Sequence, residues 1–529
     1  MRNIQAVILA AGEGTRMKSD LPKVLHTICG RPMIAYALDL VASAGVKQPI
    51  VILGHGADTV KPALPKEARV VIQTKQLGTG DAVVAAKKLL GTSAGAVLIL
   101  YADTPLLRRT TVQKLIETHF KTGATCSLLT AHLADPTGYG RIIRNENGQI
   151  TVIVEEAEAN VAQRAIREIN VGPLICSAQS LLEALVAVKP SGAKHELYLT
   201  EIISHLARQE GAKIQATRVE EISEALGINS RAELARAIGV IRQRIIETHL
   251  HNGVTIEDPT TTFIDHGVAI GADTVIHPHT VIETGVAIGK RCSIGPFARL
   301  RSGVAVAEET RIGNFVELVR TKIGPRVRVN HVSYLGDATI DEGVNIGAGT
   351  ITANYDGHAK YETHIGKGAF IGSDTVLIAP VNIGAGAVTG AGSVVTKAHD
   401  VPARGIVVGV PARPLAASAG APARPLDHRK PVEVAKAPAK ATKASPIVKR
   451  NGHVKPAAKK TSRQKPVRAA ARRATRMPAR STVTRRRLGK AAARRPKAAR
   501  GRVQVKAKAV RRVTVAKRRR TRGTAKAKR

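Results

Sequence analysis

Apolar-rich runs at residues 5–11, 50–53, 70–73 and 97–101 punctuate the first part of the chain, with helical periodicity between them, as at 33–44 and 81–90. Runs this short and apolar predict strands buried on both faces. Their alternation with helices predicts an α/β domain over 1–229, built on a mainly parallel, Rossmann-like sheet covered on both sides. Ser230-Arg231-Ala232-Glu233 then has the form of a capping box, and Leu234, Ile238, Ile241 and Ile245 follow at helical spacing. This predicts a linker helix over 230–250, of about 20 residues and about 30 Å.

Beyond His251 the period changes. Ile264, Ile270, Ile276, Ile282, Ile288, Ile294, Leu300, Val306, Ile312 and Leu318 recur every six residues without a break. The phase slips by one to Ile323, Val329 and Leu335, then again to Ile340 and Ile346. After an interruption it resumes at Ile365, Ile371, Leu377 and Ile383. Six is the period of neither a helix nor a simple strand. It predicts hexapeptide repeats wound into a parallel β-helix over 251–414, each aliphatic residue stacking on the next coil. From 415 to 529 large apolar residues nearly vanish, and the Lys/Arg/Ala/Pro-rich composition predicts a disordered tail.

Charge sharpens that division. The formal net charge is +42, of which residues 415–529 carry +37, with 39 Lys and Arg against two acids. The remainder is close to balanced and holds every Tyr and Phe. The tail therefore suits a polyanion, either nucleic acid or an anionic membrane, bound without sequence preference. Cys29, Cys126, Cys176 and Cys292 are far apart in sequence and have no metal-ligand spacing, which fits a reducing compartment. The apolar start is broken by Glu13, Arg16 and Lys18, too early for a signal peptide, and no stretch is long enough to span a bilayer. A cytoplasmic protein is expected.

The first strand runs into Leu9-Ala10-Ala11-Gly12-Glu13-Gly14-Thr15-Arg16-Met17, followed by Leu21-Pro22-Lys23. A glycine turn after a buried strand lets backbone N–H groups approach phosphates, and Arg16 and Lys23 add charge. A Gly-x-Gly turn alone is weak evidence; with both basic residues it points to nucleotide phosphates. It lacks the third glycine of a dinucleotide fingerprint and the Gly-Lys-Ser/Thr of a Walker loop. Gln73 to Gly80 offers amide and backbone groups for a base edge. Tyr101-Ala102-Asp103-Thr104-Pro105 ends a strand with a carboxylate, where α/β sheets bind ligands and metals, although Asp103 alone would equally serve as a turn residue. Gly138-Tyr139-Gly140-Arg141 is a further turn. Within the repeats, Asn354-Tyr355-Asp356-Gly357-His358-Ala359-Lys360-Tyr361 interrupts the coil, and His331 lies upstream in Asn330-His331-Val332-Ser333-Tyr334. A polar loop on a regular coil commonly carries function, and a histidine titrating near neutrality suits deprotonation of an amine.

These motifs together resemble the bifunctional N-acetylglucosamine-1-phosphate uridylyltransferase/glucosamine-1-phosphate acetyltransferase family (GlmU), from residue 3 to about 413. The resemblance implies a left-handed β-helix, a homotrimer, Mg2+ as cofactor, and UTP and acetyl-CoA as co-substrates. It implies Mg2+ held by Asp103 and Asn229. It also implies uridine contacts from Gln73, Gly78 and Thr79 in a nucleotide pocket with Leu9, Ala10, Gly12, Lys23 and Tyr101. Gly140, Glu155, Asn170 and Asn229 would hold the sugar phosphate, and Arg16 and Lys23 would stabilise developing charge. In the repeats it implies His331 as base and Arg301, Tyr334 and Asn345 around glucosamine phosphate. Asn354, Tyr355, Lys360, Ser373 and Ala391, with Arg413 nearby, would contact acetyl-CoA. Three positions depart from the family pattern: Glu13 beside the phosphates, Val319 where a Lys is usual, and no in-register distal Arg. Strand parity would turn Arg320 away from the ligand unless the phase slip turns it back. Weakened glucosamine-phosphate binding with retained acetyl transfer is expected, and Val319→Lys is expected to tighten it. Two rival readings are a monofunctional nucleotidyltransferase with an oligomerising β-helix, and a nucleic-acid compacting protein.

Overall fold

The first strand, β1 (Ile4–Ala10), is buried on both faces because its alternate residues enter two different cores. Ala6, Ile8 and Ala10 meet helices α1 (Met33–Ser43) and α3 (Arg109–Thr122). Val7 and Leu9 meet α2 (Thr79–Ala85) and α4 (Ala178–Ala187). The computed structural model describes residues 3–90, 95–189 and 196–415, so the tail expected to be disordered lies, apart from Leu415, outside the described residues.

Around β1 the sheet contains β2 (Ile50–Leu53), β3 (Arg69–Ile72), β4 (Ala96–Tyr101), β5 (Cys126–His132), β8 (Glu168–Ser177) and β9 (Ile214–Arg218). Their order is β9-β5-β8-β4-β1-β2-β3. β1 to β4 are parallel, but β8 runs antiparallel to both β4 and β5, so the sheet is mixed. A hairpin of β6 (Arg141–Arg144) and β7 (Ile150–Val154) is attached to β8.

A longer helix, α5 (Arg231–His251), starts at Ser230, where the capping box with Glu233 is formed in both directions. Leu234, Ala237 and Ile241 bury against Met17, Ile28 and Met33, while Ile246 enters the core of the coils.

Those coils are stacked by the aliphatic residues of the six-residue period. Ile264, Ile282, Leu300, Leu318 and Leu335 register on one another in parallel. Ile276, Ile294, Ile312, Val329 and Ile346 form a second stack, and Ile288, Val306, Ile323, Ile340 and Ile365 a third. Three hexads thus close one turn of a three-sided prism. The first phase slip shortens one coil, so that Ile312 pairs with Val329. At this level two longer strands, β10 (Arg311–Val319) and β11 (Arg328–Gly336), run on around a corner of the prism. Among the described residues no helix is long and apolar enough to cross a membrane.

Candidate functional site

The nucleotide-side site forms at the carboxyl ends of β1 and β4, which are neighbours with Leu9 opposite Tyr101. The Gly12–Gly14 turn leaves β1, and Gly14 has φ 67. A Cβ on Gly14 would lie 2.7 Å from the Cβ of Lys23, so this glycine lets the turn close over the lysine stem. Ile228 N–H donates to the Asp103 carbonyl at 2.9 Å, which brings Asn229 beside Asp103. Lys23 Nζ donates to Asp103 Oδ2 at 2.6 Å and to Asn229 Oδ1 at 3.1 Å.

Leu9, Ala10, Gly12, Lys23, Gln73, Gly78, Thr79, Tyr101 and Asp103 line one pocket of about 350 Å³. Gln73 is buried, and its amide nitrogen donates to the Gly78 carbonyl at 3.1 Å and to Asp81 at 2.8 Å. Its nitrogen therefore braces the turn rather than facing the pocket free. Gly78 has φ 110, and a Cβ there would lie 2.5 Å from the Leu197 carbonyl oxygen. Arg16 is exposed on the Thr15–Met17 turn, outside the pocket wall.

Gly140, Glu155 and Asn170 form an adjoining group. Asn170 N–H donates to the Gly140 carbonyl at 2.8 Å, and a Cβ on Gly140 would stand 3.4 Å from Glu155 Oε2. Thr200 Oγ1 donates to Glu155 Oε1 at 2.8 Å. Burial pushes the Glu155 carboxyl upward, opposed by the Thr200 hydrogen bond. Tyr101 joins the two groups: burial raises its phenol, and Glu155 and Asp103 add to the effect.

Sequence reasoning missed Glu196, Tyr198 and Thr200, and offered Gln76 only as part of the segment from Gln73 to Gly80. Gln76 Nε2 donates to the Ala11 carbonyl at 3.0 Å, and Glu196 and Tyr198 line the pocket. The signal was present in Glu196-Leu197-Tyr198-Leu199-Thr200, whose strict alternation puts the three polar groups on one side.

Asp103 and Asn229 fit a magnesium ion by the chemistry of their donors. Both offer oxygen, which Mg2+ prefers, and both already converge on one cation, the Lys23 ammonium. Mg2+ is usually held by one or two protein oxygens together with substrate phosphates and water.

On the coils, His331 in β11 is in register with Asn314 in β10, and His331 Nδ1 lies 3.3 Å from Asn314 Oδ1. An amide oxygen only accepts, so Nδ1 is the donor in this contact, and Nε2 is the ring nitrogen outside it. His331, Asn345, Ser373 and Ala391 line one groove. Asn354 and Lys360 act instead on Asp337, and the Tyr334 hydroxyl lies with Asn354 over Gly336. Asn354 Nδ2 donates to Asp337, and Arg320 Nε and Nη2 bind its two oxygens at 2.5 and 2.7 Å. The Arg320 guanidinium holds the Asp337 carboxyl below its ordinary value, and Asn354 and Lys360 add to this. Arg301 Nη1 donates to Glu317 at 3.3 Å. Tyr355 is exposed at the end of the 354–361 hairpin, its hydroxyl donating to the Gly357 carbonyl at 2.6 Å. Arg413 is exposed and pairs with Val408, beyond the rung that carries Thr389 and Val407.

A nucleotidyltransferase sheet and a hexapeptide-repeat transferase coil thus share one chain, each with its own cluster of polar groups. Residues 6–198 match the MobA-like NTP transferase domain family, and 362–397 match the bacterial transferase hexapeptide (six repeats). The chain is 44% identical to the bifunctional protein GlmU of Heliobacterium modesticaldum over 441 residues, 77% of this chain and 96% of that protein. It is 43% identical to the GlmU of Shouchella clausii over 436 residues, 76% and 95% of the two chains. With the GlmU of Pelotomaculum thermopropionicum the identity is 45% over 412 residues, 72% and 90%. This chain belongs to the GlmU family.

Proposed function

We infer that the chain makes UDP-N-acetylglucosamine by two transfers: acetyl-CoA acetylates glucosamine-1-phosphate, and the product then takes UMP from UTP. The observation that carries the first half is His331, whose Nδ1 is oriented by Asn314 so that Nε2 is free as a base. Nε2 takes a proton from the glucosamine ammonium, the nitrogen attacks the thioester carbonyl, and the C–S bond breaks as the nitrogen's second proton passes to the departing CoA thiolate. Asn345 and Tyr334, with Arg301 and Arg320, are suited to the sugar phosphate. Ser373 and Ala391 lie along the same groove as His331 and suit the acetyl donor.

In the second half, the 1-phosphate oxygen attacks the α-phosphorus of UTP and pyrophosphate leaves. The Gly12–Gly14 turn and Lys23 face the phosphates, Gly78 and Thr79 the base, and Gly140, Glu155 and Asn170 the sugar. Arg16 adds charge from the turn. Asp103 and Asn229 would hold Mg2+, which when bound neutralises phosphate charge. No protein nucleophile is required; positioning and electrostatics supply the catalysis. Free cysteines and the co-substrates support a cytoplasmic enzyme.

A coupled assay with glucosamine-1-phosphate, acetyl-CoA, UTP and Mg2+ tests both halves by scoring CoA and pyrophosphate separately. His331→Ala should cut CoA release about 10²–10⁴-fold, and Asp103→Ala should abolish pyrophosphate release alone. Wild type releasing no CoA at saturating substrate would leave a uridylyltransferase with a silent β-helix.

The active assembly is a homotrimer. An exposed apolar ridge supports this: His279, Phe297 and Phe315 stack at ring distances of 4.7 and 5.1 Å, and Val332 continues the row next to His331. The tail binds polyanions through its Lys and Arg residues, and it has no Phe, Tyr or Trp to stack on bases. DNA and anionic-liposome binding across a salt series, full chain against a 1–414 truncation, tests that role. Equal binding by both proteins refutes it, and the truncation should keep both enzymatic activities.

A further inference from the structure

Lys23 stands where the metal reading above puts Mg2+. Its ammonium donates to both proposed metal oxygens, Asp103 Oδ2 and Asn229 Oδ1, and the lysine side chain is only 10% exposed. Its root is fixed. Residues 23–25 form a short helical turn with Val24 buried, and the Gly14 turn closes over the Lys23 Cβ with no room for a side chain between them. The outer methylenes and the ammonium are the part left to move. They border the pocket shared with Ala11 and Gly12, so a displaced ammonium remains within reach of phosphates bound at the glycine turn.

A divalent ion cannot simply join this arrangement. Bound to the same oxygens, it would lie within about 5 Å of the ammonium, where repulsion exceeds thermal energy several-fold at an effective dielectric of about 20. Taking the ammonium away without a new anion would leave a mostly buried charge unpaired. A nucleoside triphosphate removes both obstacles, because it offers the ammonium several anionic oxygens and brings further oxygens for the metal.

We propose that Lys23 is a resident cation that closes the Asp103–Asn229 oxygens to free metal, and that a nucleoside triphosphate draws it off, so metal enters only with nucleotide. The proposal rests on the reading of Asp103 and Asn229 as metal ligands. It gives Lys23 a part in the order of binding in addition to its contact with phosphate.

Mn2+ binding to the full chain, followed by the electron paramagnetic resonance of the free ion, tests it without turnover. Wild type, Lys23→Met, Lys23→Arg and the double variant Lys23→Met/Asp103→Asn are titrated with and without UTP, after their melting curves show that each is folded. Wild type and Lys23→Arg should bind Mn2+ weakly without UTP, since both keep a cation in place. Lys23→Met should bind at least roughly tenfold tighter, and UTP should enhance its uptake less than it does in wild type. Loss of that gain in the double variant assigns the site to Asp103. A folded Lys23→Met protein that binds Mn2+ no tighter than wild type overturns the proposal. Should the gain survive Asp103→Asn, the metal reading itself is wrong, and the two failures are told apart.

Discussion

Arg320 reaches Asp337 because the coil tightens just where strand parity would have turned it away. Leu318 and Val319 are both buried, at 0% and 3% exposure, while Arg320 adopts φ 48 at the corner and projects outward. Such corners recur at Glu309 and Phe315, and the shortened coil between Leu318 and Ile323 brings the next one to Arg320. The expectation for Val319→Lys changes accordingly: a lysine there would be buried in the wall, so it should lower the melting temperature rather than the KM. Arg320→Ala should raise the KM for glucosamine-1-phosphate about tenfold or more, with kcat little changed, as read by CoA release. Asp337 also sets a pH limit. Its folded-state ionisation is depressed, chiefly by Arg320, so the pair's stabilisation is complete above about pH 4 and fades as pH falls through the lower folded value. Asp337→Asn should remove that acid-side loss from a plot of melting temperature against pH.

At the scale of elements, what was legible in the sequence was whatever repeats or caps locally. The Ser230–Glu233 box and the hexad aliphatics depend on near neighbours, and each forms as spacing dictates. What escaped was set by distant partners. Nothing within Glu168–Ser177 states that it runs antiparallel between β4 and β5, and the loop carrying Glu196 acquires its place by closing on Leu77 and Gly80. Arg141 is another such case. Its side chain is only 2% exposed, pairs with Glu156 at 2.7 Å, and donates to the Tyr139 and Ile166 carbonyls, so it ties the glycine turn to the segment bearing Glu155. Arg141→Met should cost roughly 2 kcal/mol of stability and raise the KM for N-acetylglucosamine-1-phosphate more than it lowers kcat. Arg141→Lys should restore stability in part without restoring the KM, because one ammonium cannot span the four acceptors that the guanidinium reaches. Equal losses of kcat and kcat/KM would make its role one of general support.

For the whole molecule, the exposed ridge of His279, Phe297, Phe315 and Val332 separates the two activities. Phe315 is 56% and Val332 55% exposed, and each occupies a corner position with positive φ, where a bulky or β-branched residue is unfavourable. Apolar side chains held outward in a row, against backbone preference, suit burial by a second copy better than contact with water. The ridge also passes directly beside His331, so a copy that covered it would bring its own coil toward the groove of Asn345 and Ser373. The nucleotide pocket is lined instead by residues of the N-terminal sheet and its loops, none of which belongs to the ridge. Phe315→Glu places a charge in the middle of the ridge and should convert the trimer to monomers in sedimentation or light scattering. CoA release should then fall roughly a hundredfold through misplacement of the acetyl donor, while pyrophosphate release stays near wild type. Monomers that retain full CoA release would show that each coil is a complete acetyltransferase, and an intact trimer would show that the ridge is not the surface that joins the copies.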